Sequence, residues 1–218
     1  MQLAEKYRPD TWDTFIGQEK ITKRLRALLA RPDFGQGGGD CLLFAGPSGT
    51  GKTTLARLVA RELGCDNWEI EEIDGDACTV DRVRQIDRTI ELGAWGGHST
   101  WRTYIVNECQ AVTGRAVQAL LTLLEGLPQH RLFIFTTTED VTADLYGNFT
   151  GPFASRCKLF PFTNQGLAQL FAVRAREIAD AEGLNGKPPQ AYLRLIQDCK
   201  NNMRQALQRI DAGELVAD

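Results

Sequence analysis

The chain has 218 residues, of which 43% are apolar and 24% charged, with a formal net charge of −3. That balance suits a soluble globular protein of one full domain and a smaller one; no run approaches the ~18 apolar residues of a membrane span, and the charged N-terminus (Glu5, Lys6, Arg8) carries no apolar signal region. A negative net charge excludes bulk attraction to nucleic acid, so any such contact must come from a local basic face.

In Met1–Gln18, Pro9 prevents a helix from running through, which predicts an extended arm lying on the domain. Lys20–Ala30 places Ile21, Leu25, Leu28 and Leu29 on one side and stops before Pro32, which predicts an amphipathic helix. Gly35–Gly39 reads as a surface loop. Cys41–Ala45 is a short apolar run that predicts a strand. Gly46-Pro47-Ser48-Gly49-Thr50-Gly51-Lys52-Thr53 follows, matching G-x-x-x-x-G-K-[ST], the phosphate-binding loop. Its glycines let the backbone wrap a polyphosphate with N–H groups aimed at oxygens. Lys52 is placed to reach the β- and γ-phosphates, and Thr53 to offer a hydroxyl to Mg²⁺. Thr54 and an apolar helical pattern (Leu55, Leu58, Val59, Leu63) come next, so a positive helix end faces the anion.

Trp68–Ile73 predicts a second strand. Val80–Leu92 predicts a helix with Val80, Val83, Ile86 and Ile90 inward and Arg82, Arg84 and Arg88 largely on the other side. Gly93–Ser99 is a loop, Arg102–Val106 a third strand, Thr113–Glu125 a strong helix, Arg131–Thr138 a fourth strand and Lys158–Phe160 a brief fifth. Strands alternating with helices predict a mostly parallel sheet covered on both faces, with ligands at the C-terminal strand ends. From Thr163 the pattern is wholly helical: Gly166–Glu182, Gln190–Cys199 and Asn202–Ala212. The boundary is placed at Phe160–Thr163, giving an α/β nucleotide-binding domain over 1–161 and a helical domain over 162–218. The six cysteines (41, 65, 78, 109, 157, 199) form no C-x-x-C pair and predict buried thiols, neither disulfides nor zinc ligands.

Hydrolysis needs a metal and a positioned water. Asn107 and Glu108 follow the third strand, where phosphate-loop enzymes carry an acidic pair. Glu108 is the candidate base. Asn107 stands where an aspartate is expected. Its carbonyl can accept from a metal-bound water but supplies no charge, so Mg²⁺ binding and turnover are expected to be weaker. Thr138 is placed to contact the γ-phosphate or the attacking water.

Together these motifs resemble the AAA+ ATPases, and within them the sliding-clamp loaders: the small subunits of replication factor C and the bacterial tau/gamma subunit. Glu5-Lys6-Tyr7-Arg8-Pro9 with Gly17-Gln18 is similar to the family's opening, which lines the adenine pocket. The glycine loop, Ser155-Arg156-Cys157 and Asn202-Met203-Arg204 carry the rest. Leu120–Pro128 and Phe133–Asp140 look more like the bacterial branch. The resemblance implies a AAA+ P-loop fold, a five-stranded sheet between helices followed by a small helical lid. It implies ATP and Mg²⁺ as cofactors, with Tyr7, Arg8 and Pro9 at the base. Arg156 would be an arginine finger reaching a neighbour's γ-phosphate, Arg204 a second sensor and Thr138 the first. It implies a ring with other AAA+ subunits (a pentamer), a sliding clamp and primer–template DNA as partners, and a cytoplasmic or, in a eukaryote, nuclear location. DNA phosphates would meet Arg82, Arg84, Arg88 and Arg115, though a solvated helix face is the competing reading for the first three. Neither the bacterial zinc-binding insertion nor the helical collar domain is recognised. Three activities are compatible: a clamp-loader ATPase, a nucleotide-gated assembly subunit with weak or no hydrolysis, or another AAA+ DNA motor such as a branch-migration helicase.

Overall fold

The computed structural model describes residues 1–90, 100–138 and 155–216. The loop predicted at Gly93–Ser99 and the Glu139-Asp140 end of the fourth-strand motif lie outside the described residues.

The elements run as α1 (Leu3–Lys6), α2 (Glu19–Leu29), β1 (Asp40–Ala45), α3 (Lys52–Glu62), β2 (Ile70–Asp74), α4 (Val80–Ile90) and β3 (Arg102–Asn107). A 3₁₀ turn (Cys109–Ala111), α5 (Gly114–Glu125), β4 (Arg131–Thr137) and β5 (Lys158–Pro161) come next. Three helices close the chain: α6 (Ala168–Glu182), α7 (Pro189–Asp198) and α8 (Met203–Asp211). The five strands form one sheet in the order β2-β3-β4-β1-β5, and every pairing is parallel. Each central strand therefore buries both faces. Along β1, Cys41 and Leu43 enter the core under α4 and α5, while Leu42 and Phe44 enter the core under α2 and α3. β4 repeats this alternation with Phe133 and Phe135 against Leu132 and Ile134. That two-sided burial is why the strands read as continuous apolar runs.

α6, α7 and α8 build a core of their own around Phe171, Ala175, Ile178, Tyr192, Ile196 and Ile210. Leu3 belongs to this core and is 3% exposed. The N-terminal segment is thus not the extended arm expected. Pro9 lies three residues past the end of α1 and so does not disturb it, and the turn of helix gains its stability by seating Leu3 among the C-terminal helices. Lys6 Nζ and the Tyr7 hydroxyl both donate to Glu182 at the end of α6.

The expectation of six thiols also fails. In-register pairing of β1 with β5 sets Leu42 opposite Lys158, which brings Cys41 and Cys157 to a Cα separation of 4.6 Å, joined as a disulfide. The pairing spans 116 residues of sequence and depends on strand register, which spacing alone does not reveal. Cys65, Cys78, Cys109 and Cys199 are buried and lie outside the disulfide. Among the described residues no helix is long and apolar enough to cross a membrane.

Candidate functional site

Every strand points its C-terminal end the same way, so the residues after β1, β3 and β4 meet at one edge. The glycine loop leaves β1 at Gly46, whose N–H donates to Thr137 O at 3.1 Å and so anchors the loop's start to β4. At Gly49 the backbone sits at φ +75°. A Cβ there would stand 2.0 Å from Asn202 Oδ1, so only glycine lets the loop touch the last helix of the chain. Lys52 opens α3 and is 6% exposed. Its Nζ donates to Gly46 O at 2.7 Å and Pro47 O at 2.9 Å, folded back over the loop. Burial pushes the ammonium down to about 8; the nearby Arg204 charge adds to that and Glu108 opposes it. An ammonium in this state gains from an incoming anion, which would replace carbonyl dipoles by full charges.

A cleft lies over the loop. Tyr7, Arg8, Pro9 and Ile16 form one wall, Gly49, Thr50, Gly51 and Thr54 the floor, and Met203, Arg204 and Leu207 the opposite wall. Its cavity volume is about 110 Å³, and its mouth is open to solvent. Arg8 Nη1 donates to Thr54 Oγ1 at 3.3 Å, and its guanidinium also pairs with Glu5. The guanidinium beside it holds the Glu5 carboxyl below the usual range. Asn202 caps α8, accepting from Gln205 N at 3.1 Å, which fixes the helix turn that carries Arg204. Gln18, expected beside the base, is instead buried against the link from β5 to α6: its Nε2 donates to Thr163 O at 2.6 Å.

The ends of β3 and β4 are laced together. Asn107 Oδ1 accepts from Thr53 Oγ1 at 2.8 Å and from Thr136 Oγ1 at 3.3 Å. Glu108 follows in a left-handed conformation at φ 47°, its N–H donating to Thr136 Oγ1 at 3.3 Å. Glu108 Oε2 accepts from Thr138 Oγ1 at 3.1 Å. Thr138 lies one residue beyond β4. The structure therefore brings together Lys52, Thr53, Asn107, Glu108 and Thr138, with Arg204 across the cleft. Sequence reasoning missed Thr136, Thr137 and Gln110. The run of three threonines was visible, but which hydroxyl meets which partner depends on the β3–β4 register.

Arg156 lies elsewhere. It precedes β5, level with the start of β1, whereas the glycine loop follows the end of β1. At ~3.3 Å per residue the two are roughly 15–20 Å apart along the sheet. Arg156 Nη2 donates to Glu125 Oε1 at 2.5 Å. Of the arginines expected on a nucleic-acid face, Arg82 is turned back onto the protein, donating to Glu71 Oε1 at 2.7 Å and Gln85 Oε1 at 2.6 Å. Arg84 pairs with Asp81 at 3.6 Å. Arg88 and Arg115 are exposed.

A strand, glycine loop and helix facing acidic and hydroxyl groups at neighbouring strand ends, under a helical cover, define a AAA+ P-loop module. Residues 7–90 match the family model described as the Holliday junction DNA helicase RuvB P-loop domain. Solved structures of RuvB from Thermotoga maritima, described as a Holliday junction branch migration motor, superpose with a TM-score of 0.68 at 23% identity, covering 94% of this chain and 64% of that one. The curated relatives narrow the class. The chain is 31% identical to the replication factor C small subunit of Halobacterium salinarum, over 99% of its own length and 63% of the relative. It is 30% identical to the DNA polymerase III subunit tau of Bacillus subtilis, over 96% of its own length and 38% of the relative. The chain is similar to these replication proteins along nearly its whole length, and it spans less than two thirds of theirs.

Proposed function

We propose that the chain is an ATP-binding and ATP-hydrolysing subunit of a sliding-clamp loader, whose ATP sites are completed by neighbouring subunits. The observation that carries this reading is the placement of Arg156 at the opposite end of the β1–β5 pair from its own glycine loop. An arginine there serves a neighbour's site better than its own. In this reading residues 1–161 form the nucleotide-binding domain and 162–218 the lid. The chain assembles with other AAA+ subunits into a ring, a pentamer, inside the cell, and acts on a sliding clamp and primer–template DNA.

The donor set fits the two cofactors. The loop's glycines at positive φ leave a cradle that a Cβ would fill at Gly49, and the ammonium above it donates to two backbone carbonyls. ATP would lie with its phosphates on residues 46–54 and its base against Tyr7, Arg8 and Pro9. Mg²⁺ would be held by Thr53 and, through water, by Asn107, both neutral oxygen donors suited to a hard cation. When bound, the metal would neutralise charge developing on the transferred phosphoryl group. Glu108 takes the proton of the attacking water while Thr138 orients that water. Lys52 and Arg204 stabilise the phosphates from within the chain, and Arg156 does so from the next subunit. Duplex phosphates would meet Arg84, Arg88 and Arg115, with Arg82 joining once it leaves Glu71; such contacts bind without reading sequence.

Lys52→Ala is expected to abolish nucleotide binding; retained affinity in a fluorescent-nucleotide titration would sink the central assignment. Arg156→Ala is expected to leave binding intact and to lower turnover in the assembled ring by ~10³-fold or more. An unchanged rate removes its role as a finger. A second reading, a nucleotide-gated subunit with weak or no hydrolysis, is favoured by the neutral amide of Asn107 at the metal position. A branch-migration motor, the reading supported by the matched family model, is disfavoured by the Glu5–Pro9 and Ser155–Cys157 motifs.

A further inference from the structure

Gln110 stands at the centre of the polar cluster joining β3 to β4. Its Nε2 donates to Glu108 Oε2 at 2.6 Å and to Thr138 Oγ1 at 3.1 Å. Its Oε1 accepts from Thr137 Oγ1 at 2.8 Å. With the Thr138–Glu108 bond, the amide, the hydroxyl and the carboxylate close a triangle. The two ends of the amide are not interchangeable: turned over, its oxygen would face the Glu108 carboxylate with no proton between them. The backbone beneath is equally determined, because Gln110 sits in the 3₁₀ turn whose first residue, Cys109, is 0% exposed.

Glu108 needs such a partner. It lies past the end of a strand, in a left-handed conformation, on a side chain with three rotatable bonds. A general base must hold its oxygen within hydrogen-bond reach of the proton it removes. We propose that Gln110 is a positioning residue for hydrolysis. It fixes the Glu108 carboxylate and the Thr138 hydroxyl relative to each other through Oε2, and leaves Oε1 of Glu108 for the water. The bond to Thr137 ties this geometry to β4, the strand whose Thr137 carbonyl also anchors Gly46. Base, water-orienting hydroxyl and phosphate loop therefore share one rigid support. The inference rests on the reading of Glu108 as the base.

The test is single-turnover ATP hydrolysis by the full-length protein, alongside a fluorescent-nucleotide titration. Gln110→Ala is expected to lower the hydrolysis rate roughly 10-fold or more, as displacement of a reacting group does, with nucleotide affinity unchanged. Gln110→Met, which keeps the length and removes both hydrogen-bonding ends, is expected to match it and carries the test if the alanine variant does not fold. In a Glu108→Gln background the Gln110 substitution is expected to add no further loss, because the two act as one unit. An additive loss there, an unchanged rate in both Gln110 variants, or a faster rate overturns the proposal while leaving Glu108 as the base. If Glu108→Gln alone leaves the rate unchanged, the catalytic reading of Glu108 falls first and the role of Gln110 with it. The unsubstituted protein gives an independent signature: the side-chain amide protons of Gln110 are expected to exchange slowly in NMR spectra and to shift on Glu108→Gln. Rapid exchange of both protons contradicts the triangle.

Discussion

Asn107→Asp changes one atom at the proposed metal position and leaves the hydrogen bonds to Thr53 and Thr136 in place. Asn107 Oδ1 only accepts, from Thr53 at 2.8 Å and Thr136 at 3.3 Å, and an aspartate oxygen accepts the same two bonds. A Mg²⁺ at its usual ~2.1 Å from Thr53 Oγ1 would stand within ~5 Å of the new carboxylate. A unit negative charge at that distance from a divalent cation is worth about 1.7 kcal/mol even at the dielectric of bulk water, and more in the partly closed site. The half-saturating Mg²⁺ concentration for ATP hydrolysis is therefore expected to fall by ~15-fold or more, with a rise in the maximal rate. A Mg²⁺ titration of ATP hydrolysis, run in parallel on both proteins, measures it. The same midpoint and the same maximal rate in the two would refute the placement of residue 107 at the metal, and would show that the missing charge is supplied elsewhere.

Gly49→Ala is expected to weaken nucleotide binding at least ~10-fold, since its Cβ would meet Asn202 at 2.0 Å on a backbone at φ +75° that alanine adopts only with strain; a nucleotide titration checks this, and wild-type affinity would mean the last helix is free to move away. Nucleotide affinity is expected to be flat below pH 8 and to fall by up to ~10-fold per pH unit above it. Lys52 in the free protein titrates at about 8, and bound phosphate favours its charged form, so binding above that pH takes up a proton. For the free fold the sign is opposite: the unfolded lysine holds its proton to higher pH, so stability rises as pH increases from about 8 toward the ordinary lysine value of 10.5. Affinity independent of pH from 7 to 9.5, by isothermal titration, would show that Lys52 is not held as described. Unfolded in denaturant without reductant, the chain is expected to release four reactive thiols, rising to six after reduction. In the folded chain Cys65 and Cys78, pushed up to about 11 by burial, are expected to react slowly. Six thiols without reductant would disprove the Cys41–Cys157 bond.

Much of this protein follows from local rules. The glycine loop, its strand and its helix are legible because three local signals follow one another within the 23 residues Cys41–Leu63: an apolar run, glycines where positive φ is needed, and a helical apolar period. The parallel sheet follows from the alternation of strands and helices, since parallel neighbours need crossovers and crossovers cover both faces. The clamp-loader resemblance is legible because its motifs are contiguous stretches. What sequence could not decide was every relation set by register or docking. Leu3 reads as part of an arm broken by Pro9, yet burial among the C-terminal helices, more than 160 residues away, is what stabilises its helical turn. Cys41 and Cys157 read as separate thiols until β1 and β5 align. Thr136, Thr137 and Thr138 read as one β-prone run, but alternation along the strand and the turn after β3 send their hydroxyls to Asn107, Gln110 and Glu108 in that order. Composition and spacing act over a few residues and so are visible in one dimension. The partners of a polar side chain are chosen by the packing of distant segments, and only the tertiary structure assigns them.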